Sequence, residues 1–135
     1  MQNFVYALIQ VAHNFGAVAV VGGALLGRWP LRPEESQRHR LAWVVLAGWI
    51  TQGISGAAFG AVSFYYYGQF PDIHGIAIAA LLVKMGCAAS GILVTAGYLS
   101  LSARWQQSRR DHVWSLLILL GVTALTAAAF LRWFS

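Results

Sequence analysis

The stretch from Ile73 to Leu101, IHGIAIAALLVKMGCAASGILVTAGYLSL, decides the fold. It is apolar almost throughout, carries one charged residue, Lys84, and exceeds the roughly 20 residues a helix needs to cross a bilayer core. A run this long cannot be an aqueous strand. Inside lipid its backbone groups must bond within the segment, so it is read as a transmembrane helix, long enough to protrude or tilt.

Three more runs of this kind flank it: Phe4 to Leu26, Leu41 to Ser63, and Val113 to Phe134. Gly27, Arg28 and Pro30 stop the first. It has no basic leader and no small-residue cleavage site, so it is read as a retained helix rather than a signal peptide. The expectation is an all-α, four-transmembrane-helix bundle in a single integral membrane domain spanning residues 1–135, with helices over about 4–26, 41–63, 73–101 and 113–134. Composition agrees. Hydrophobic residues make up 59% of the chain, mean hydropathy is +0.62, and charged residues are 10%, against about 25% in a soluble domain.

The net charge of +5 does not point to nucleic acid. Seven of the nine basic residues fall in two short loops: Arg28, Arg32, Arg38 and Arg40, then Arg104, Arg109 and Arg110. No basic face with interleaved aromatics appears. The loop between the second and third runs, Phe64 to Asp72, has neither Lys nor Arg. The positive-inside rule then places loops 28–40 and 102–112 in the cytoplasm, and the second loop and both termini on the periplasmic or outer side, with a bacterial inner membrane as the expected location. Arg132 opposes this alone. Tyr65, Tyr66, Tyr67 and Phe70 suit an outer aromatic belt, and Trp29, Trp43 and Trp105 an inner one. Pro33-Glu34-Glu35-Ser36 is read as the start of a short interfacial turn.

Lipid gives helices little hydrophobic reason to associate, so small residues carry close packing. Ala12, Gly16, Ala19, Gly23 and Gly27 form one stripe. Gly48, Gln52, Gly56 and Gly60 form a second, Ala79, Gly86, Ser90 and Gly97 a third, and Thr123, Ala124, Ala127 and Ala128 a fourth. Cys87, the only cysteine, excludes an internal disulfide and reads as a packing residue.

Ionisable groups at membrane depth are costly and mark function by default. His13 and Lys84 are the two, with Gln10, Asn14 and Gln52 as other deep polar groups. His13 reads either as a neutral imidazole bonded to a neighbouring helix or as a ligand of haem iron or copper. Met85 and His74 are candidate second ligands. No Asp or Glu falls within the four apolar runs to pair with Lys84. Its expected partner is therefore anionic: a haem propionate, a lipid phosphate or an acidic group of another subunit. His74, in Phe70-Pro71-Asp72-Ile73-His74-Gly75, lies about 10 Å too shallow for a bis-His haem with His13, unless the third helix enters deeper. His39 and His112 sit beside arginines at the inner interface. No hydrolytic triad, phosphate loop or metalloprotease motif occurs.

The run His13-Asn14-Phe15-Gly16-Ala17-Val18-Ala19-Val20-Val21-Gly22-Gly23 resembles the opening helix of the copper-resistance D (CopD-like) membrane family, in which a histidine precedes a Gly-Gly pair by nine and ten residues. Leu81-Leu82-Val83-Lys84-Met85-Gly86 resembles that family's apolar helix with an embedded lysine. Val20 stands where the family usually carries Trp, and the full transporters are larger. More distantly, His13 and Arg28 resemble positions in the small haem-binding protoporphyrinogen oxidases, whose third-helix histidine-lysine signature is not reproduced around Lys84. The resemblance implies a copper- or haem-related role with His13 as ligand.

The expected function is an integral membrane subunit that binds haem b or copper through His13, with Lys84, His74 and Met85 completing the site. It would serve electron transfer or copper handling in the lipid bilayer, within a larger complex of other membrane subunits or a homo-oligomer. A non-catalytic or electron-transfer subunit is favoured over an enzyme. The alternatives are a cofactor-free accessory subunit of a respiratory or photosynthetic complex and an enzyme of protoporphyrinogen oxidase type.

Overall fold

A computed structural model describes residues 1–28, 33–69 and 72–134. Four helices account for nearly all of them: α1 (Gln2–Arg28), α2 (Glu35–Tyr67), α3 (Ile76–Leu101) and α4 (Gln107–Phe134), with a 3-10 turn at Ser102–Arg104 between the last two. Each helix is long and apolar enough to cross a membrane, and no strand occurs among the described residues. The chain is a membrane-embedded helical protein. Trp29, Arg32, Phe70 and Pro71, named above for belts and loops, lie outside the described residues.

Two helices start earlier than the apolar runs indicate. Glu35 to Arg40 belongs to α2 and Gln107 to His112 to α4, because charged residues continue a helix beyond the hydrocarbon it crosses. The expected interfacial turn at Pro33–Ser36 is the start of α2 itself, where the backbone N–H of Glu34 donates to the Gln37 side chain at 3.2 Å. At its other end α2 absorbs Tyr65, Tyr66 and Tyr67 and stops at Gly68. That residue has φ of 69° and donates its N–H to the Phe64 carbonyl, a left-handed cap that glycine adopts without strain.

The helices form a ring in chain order, each packed against two neighbours, all antiparallel, with α1–α3 and α2–α4 as the diagonals. The first residues of α1 and the last of α4 therefore share one end, called here the terminal end. The opposite, basic end holds Arg28, Arg38, Arg104, Arg109 and Arg110.

Close approach rests on particular glycines. A Cβ on Gly48 would lie 3.0 Å from Gly16 O and from Val20 Cγ2, and one on Gly23 would lie 2.7 Å from Val45 Cγ2. Gly27 and Gly91 leave room for whole indoles: a Cβ there would overlap Trp114 and Trp49, both fully buried. Gly16, Ala19, Gly23 and Gly27 of the first stripe expected from sequence thus pack as read, whereas Ala12 is exposed and the third stripe does not pack. Gly86 and Gly97 have nothing within 4 Å of an added Cβ, and Ser90 is exposed. The face of α3 that turns inward is Ala77, Ala80, Lys84, Cys87, Gly91, Thr95 and Tyr98, spaced by threes and fours. Large apolar side chains such as Phe15, Leu93 and Leu119 point outward, as lipid-facing residues do.

The two glycine classes predict opposite outcomes. Gly91→Leu forces a side chain into the Trp49 indole, and overpacking of this kind costs about 1–3 kcal/mol. The thermal midpoint of helicity in detergent is expected to fall by several degrees for Gly91→Leu and to stay at the wild-type value for Gly97→Leu.

Candidate functional site

Close approach of α1 and α2 builds the site. A Cβ on Gly16 would stand 2.9 Å from the Gln52 amide nitrogen, so glycine there lets α2 lie against the α1 backbone. Gln52 then donates to the backbone carbonyl of His13. One turn further along α2, Ser55 Oγ sits 2.6 Å from His13 Nδ1, and Phe59 meets the imidazole edge-on with centroids 5.8 Å apart. Ser55 spends its single hydroxyl hydrogen on the Thr51 carbonyl. Its oxygen therefore accepts from His13, which places the ring proton on Nδ1 and the lone pair on Nε2.

That lone pair faces Lys84. The ammonium nitrogen lies 3.0 Å from Nε2, across the α1–α3 diagonal. His13 and Lys84, about 16 Å and 12 Å along helices that enter from the same end, share one layer near the middle of the bundle. Both are half-buried, and Ser55 is 5% exposed. The layer is a chain of three groups from three helices: Ser55, His13, Lys84.

The other two expected ligands are elsewhere. Met85 is 60% exposed on the outside of α3, next in sequence to Lys84 but turned away from the interior. His74 precedes α3, is exposed, and pairs with Asp72 at 2.8 Å. Neither joins His13. Among the described residues no group of three or more His, Cys, Asp or Glu side chains is arranged to hold a metal ion.

A second polar layer closes the basic end, and the sequence reading missed it. Arg38, assigned there to a loop facing lipid headgroups, is 2% exposed. Its Nη2 donates to Asp111 Oδ1 at 2.8 Å across the α2–α4 diagonal, and its Nε donates to the Gly27 carbonyl at 3.0 Å. Gln107 also donates to Asp111 Oδ1, at 3.0 Å. Beside this pair, Arg110 Nη1 meets Glu35 Oε2 at 3.1 Å, and the buried Tyr98 hydroxyl donates to Glu35 Oε1 at 2.7 Å. Two carboxylates thus tie α2, α3 and α4 together, and Arg38 adds the end of α1. Ser55 was missed as well. Its signal was the three-residue spacing from Gln52, which puts both on the α2 face toward α1.

The chain has four acidic side chains. Glu35 and Asp111 belong to the basic-end layer, Glu34 is exposed beside them, and Asp72 is exposed at the terminal end. None is at the depth of Lys84, so an imidazole, not a carboxylate, is the partner of that ammonium. No family model, no curated protein and no solved structure matches this chain.

A lysine at the centre of a membrane helix costs about 3 kcal/mol. One hydrogen bond from the ammonium to a neutral imidazole returns about 2 kcal/mol. The balance makes Lys84 a net burden on the bundle. Lys84→Met, of similar length and apolar, is expected to raise the thermal midpoint in detergent, whereas Arg38→Met, which leaves Asp111 without its cation and the Gly27 carbonyl without its donor, is expected to lower it. Circular dichroism melts of the two variants beside wild type check both signs.

Proposed function

We propose that this chain is a ligand-binding subunit of a membrane assembly, with the Ser55–His13–Lys84 layer as its site, and that the ligand presents an anionic oxygen to Lys84. The observation that carries this reading is the 3.0 Å contact between Lys84 Nζ and His13 Nε2 at a depth where the chain has no carboxylate. An ammonium has three hydrogens to donate, and His13 accepts one. Among the described residues nothing accepts the others. An anion brought to this layer cancels its charge and takes the free donors. The Ser55 hydroxyl holds the imidazole in a fixed orientation, so the donor array is preformed.

The copper reading finds little support in these residues. Copper would need several ligands to converge on His13, yet Met85 faces outward and His74 is outside the helix beside Asp72. Haem b would need Nε2, the atom that Lys84 faces, and a flat cleft. Of the two grooves of about 360 and 320 Å³, only the second is lined by a residue of this layer, Ser55, and neither is lined by His13 or Lys84.

The charge bias of the loops supports a cytoplasmic basic end and an outward terminal end, which puts the site slightly toward the outer leaflet of a bacterial inner membrane. A second reading, a structural accessory subunit without a ligand, draws on the basic end, where two ion pairs join α2 to α4 and hydrogen bonds to the Gly27 carbonyl and from Tyr98 add α1 and α3.

Native mass spectrometry, an optical spectrum and metal content of the detergent-purified protein test the proposal. The expected result is a co-purifying acidic adduct on wild type and on Lys84→Arg, at least tenfold weaker on Lys84→Met, with no Soret band and no stoichiometric copper. Identical adducts on all three proteins would favour the structural reading. A Soret band or bound copper that disappears in His13→Ala would overturn the proposal and make His13 a metal ligand.

A further inference from the structure

We infer that Lys84 is a nucleophilic amine, and that it forms an iminium bond with an aliphatic aldehyde dissolved in the bilayer. The inference goes beyond the anion reading of the layer and stands on the geometry of its three groups alone, so either can fail without the other.

Arginine is the usual cation of this chain. Eight of the nine basic residues are arginine, and the single lysine is the one in this layer. For holding an anion, guanidinium is the better group, with five donors in a fixed fork. What an amine does, and guanidinium does not, is give up a proton and attack carbon with the freed lone pair. The partner of Lys84 fits that use. A carboxylate would hold the proton on nitrogen, whereas His13 Nε2, 3.0 Å away with its lone pair turned to the ammonium, can take it.

An activated nucleophile has a base within about 2.6–3.2 Å and a third group that orients the base. Ser55 is the third group. Its Oγ accepts from His13 Nδ1 at 2.6 Å and its own hydrogen is bound to the Thr51 carbonyl, so Nε2 stays turned toward Lys84. Phe59, edge-on to the ring, and Gln52, bonded to the His13 carbonyl, hold the imidazole and its backbone. Lys84 and His13 are half-buried rather than sealed in the core, which leaves the amine within reach of a molecule in the surrounding hydrocarbon.

The proton balance closes. The ammonium passes one proton to Nε2, and the freed pair of Nζ attacks the carbonyl carbon as its C–O π bond opens. His13 returns the proton to that oxygen, takes a second from the nitrogen and gives it to the hydroxyl, which leaves as water while C=N forms. The product is an iminium that keeps one hydrogen and the positive charge on Nζ. His13 ends neutral, as it began, and nothing is oxidised or reduced. Depth selects the substrate. Lys84 is about 12 Å along α3 from its start, so the carbonyl compound must dissolve in hydrocarbon, and scarce water there slows hydrolysis of the product. An aldehyde carbon is less crowded than that of a ketone and suits a half-buried nucleophile.

The test uses the full-length protein in phosphatidylcholine nanodiscs, which carry no lipid amine. Hexadecanal is added, the product is reduced with cyanoborohydride, and intact mass and peptide mapping locate the alkyl group. Lys84 is expected to take one hexadecyl group, and Lys84→Arg none at that position. Lys84→Arg also separates this inference from the preceding one, since it keeps the charge that holds an anion and loses the amine. His13→Gln, which still accepts from Lys84 but carries no transferable proton, should react at least tenfold more slowly, and added imidazole should restore the rate of His13→Ala. Ser55→Ala should slow the reaction severalfold, with Ser55→Thr at the wild-type rate. A wild-type protein without an alkyl group on Lys84 overturns the inference, as does a wild-type rate in His13→Gln or a His13→Ala variant that imidazole leaves slow. Faster trapping of propanal than of hexadecanal does the same. So does an equal rate for Leu82→Lys in a Lys84→Met background, which moves the amine two residues along to an exposed position of α3.

Discussion

Helices in hydrocarbon are not driven together by water, so shape and polar contacts between them must hold the bundle, and the contact on which the rest depends is that between Gly16 and Gly48. With no Cβ on either, α1 and α2 approach until Gln52 can bond the carbonyl of His13 and Ser55 can bond its imidazole. A side chain at either glycine would push the helices apart and leave His13 unsupported. The same approach seats Val20 and Val45 in the core and leaves Trp49 to reach across to the bare backbone of Gly91. Packing and site geometry therefore share one cause.

Among the described residues, polar contacts cross the bundle on its diagonals at two levels. Near the middle, His13 and Lys84 join α1 to α3. At the basic end, Arg38 and Asp111 join α2 to α4, with Glu35, Arg110 and Tyr98 alongside. Between them the core is tryptophan, tyrosine and small aliphatic residues. The two layers differ in chemistry. The basic-end layer pairs each buried or half-buried cation with a carboxylate and is closed. The middle layer pairs a cation with a neutral ring and keeps donor capacity to spare. That imbalance separates a layer that only holds helices together from one suited to receive something.

Much of the fold could be read from residue order. Four apolar runs of spanning length admit hardly any other state, and the alternation of Gly16, Ala19, Gly23 and Gly27 marked the packed side of α1, although Ala12 at the head of that stripe is exposed. Errors came where hydropathy or size was taken as a proxy for contact. Hydropathy marks the hydrocarbon a helix crosses rather than its length, so the six residues from Glu35 and from Gln107 were assigned to loops. Small size marks where another helix could come close, not where one does, so Gly86 and Gly97 on the lipid side of α3 looked the same as Gly91 under an indole. Lys84 and His13 stood out by their cost in lipid, whereas Ser55 did not, since a serine in a membrane helix can bond its own backbone at little cost.

The order of residues by itself determined that this protein is four membrane helices with a deep imidazole and a deep ammonium, because chain length, apolar content and the price of charge in lipid are local properties. Only the tertiary structure decided that these two groups touch, that Ser55 sets the imidazole's tautomer, that Met85 and His74 stand apart, and that Arg38 is buried on Asp111. Those facts depend on the rotation of each helix about its axis and on the choice of neighbour. Both are settled when specific side chains fit specific gaps on other helices, which no single segment encodes.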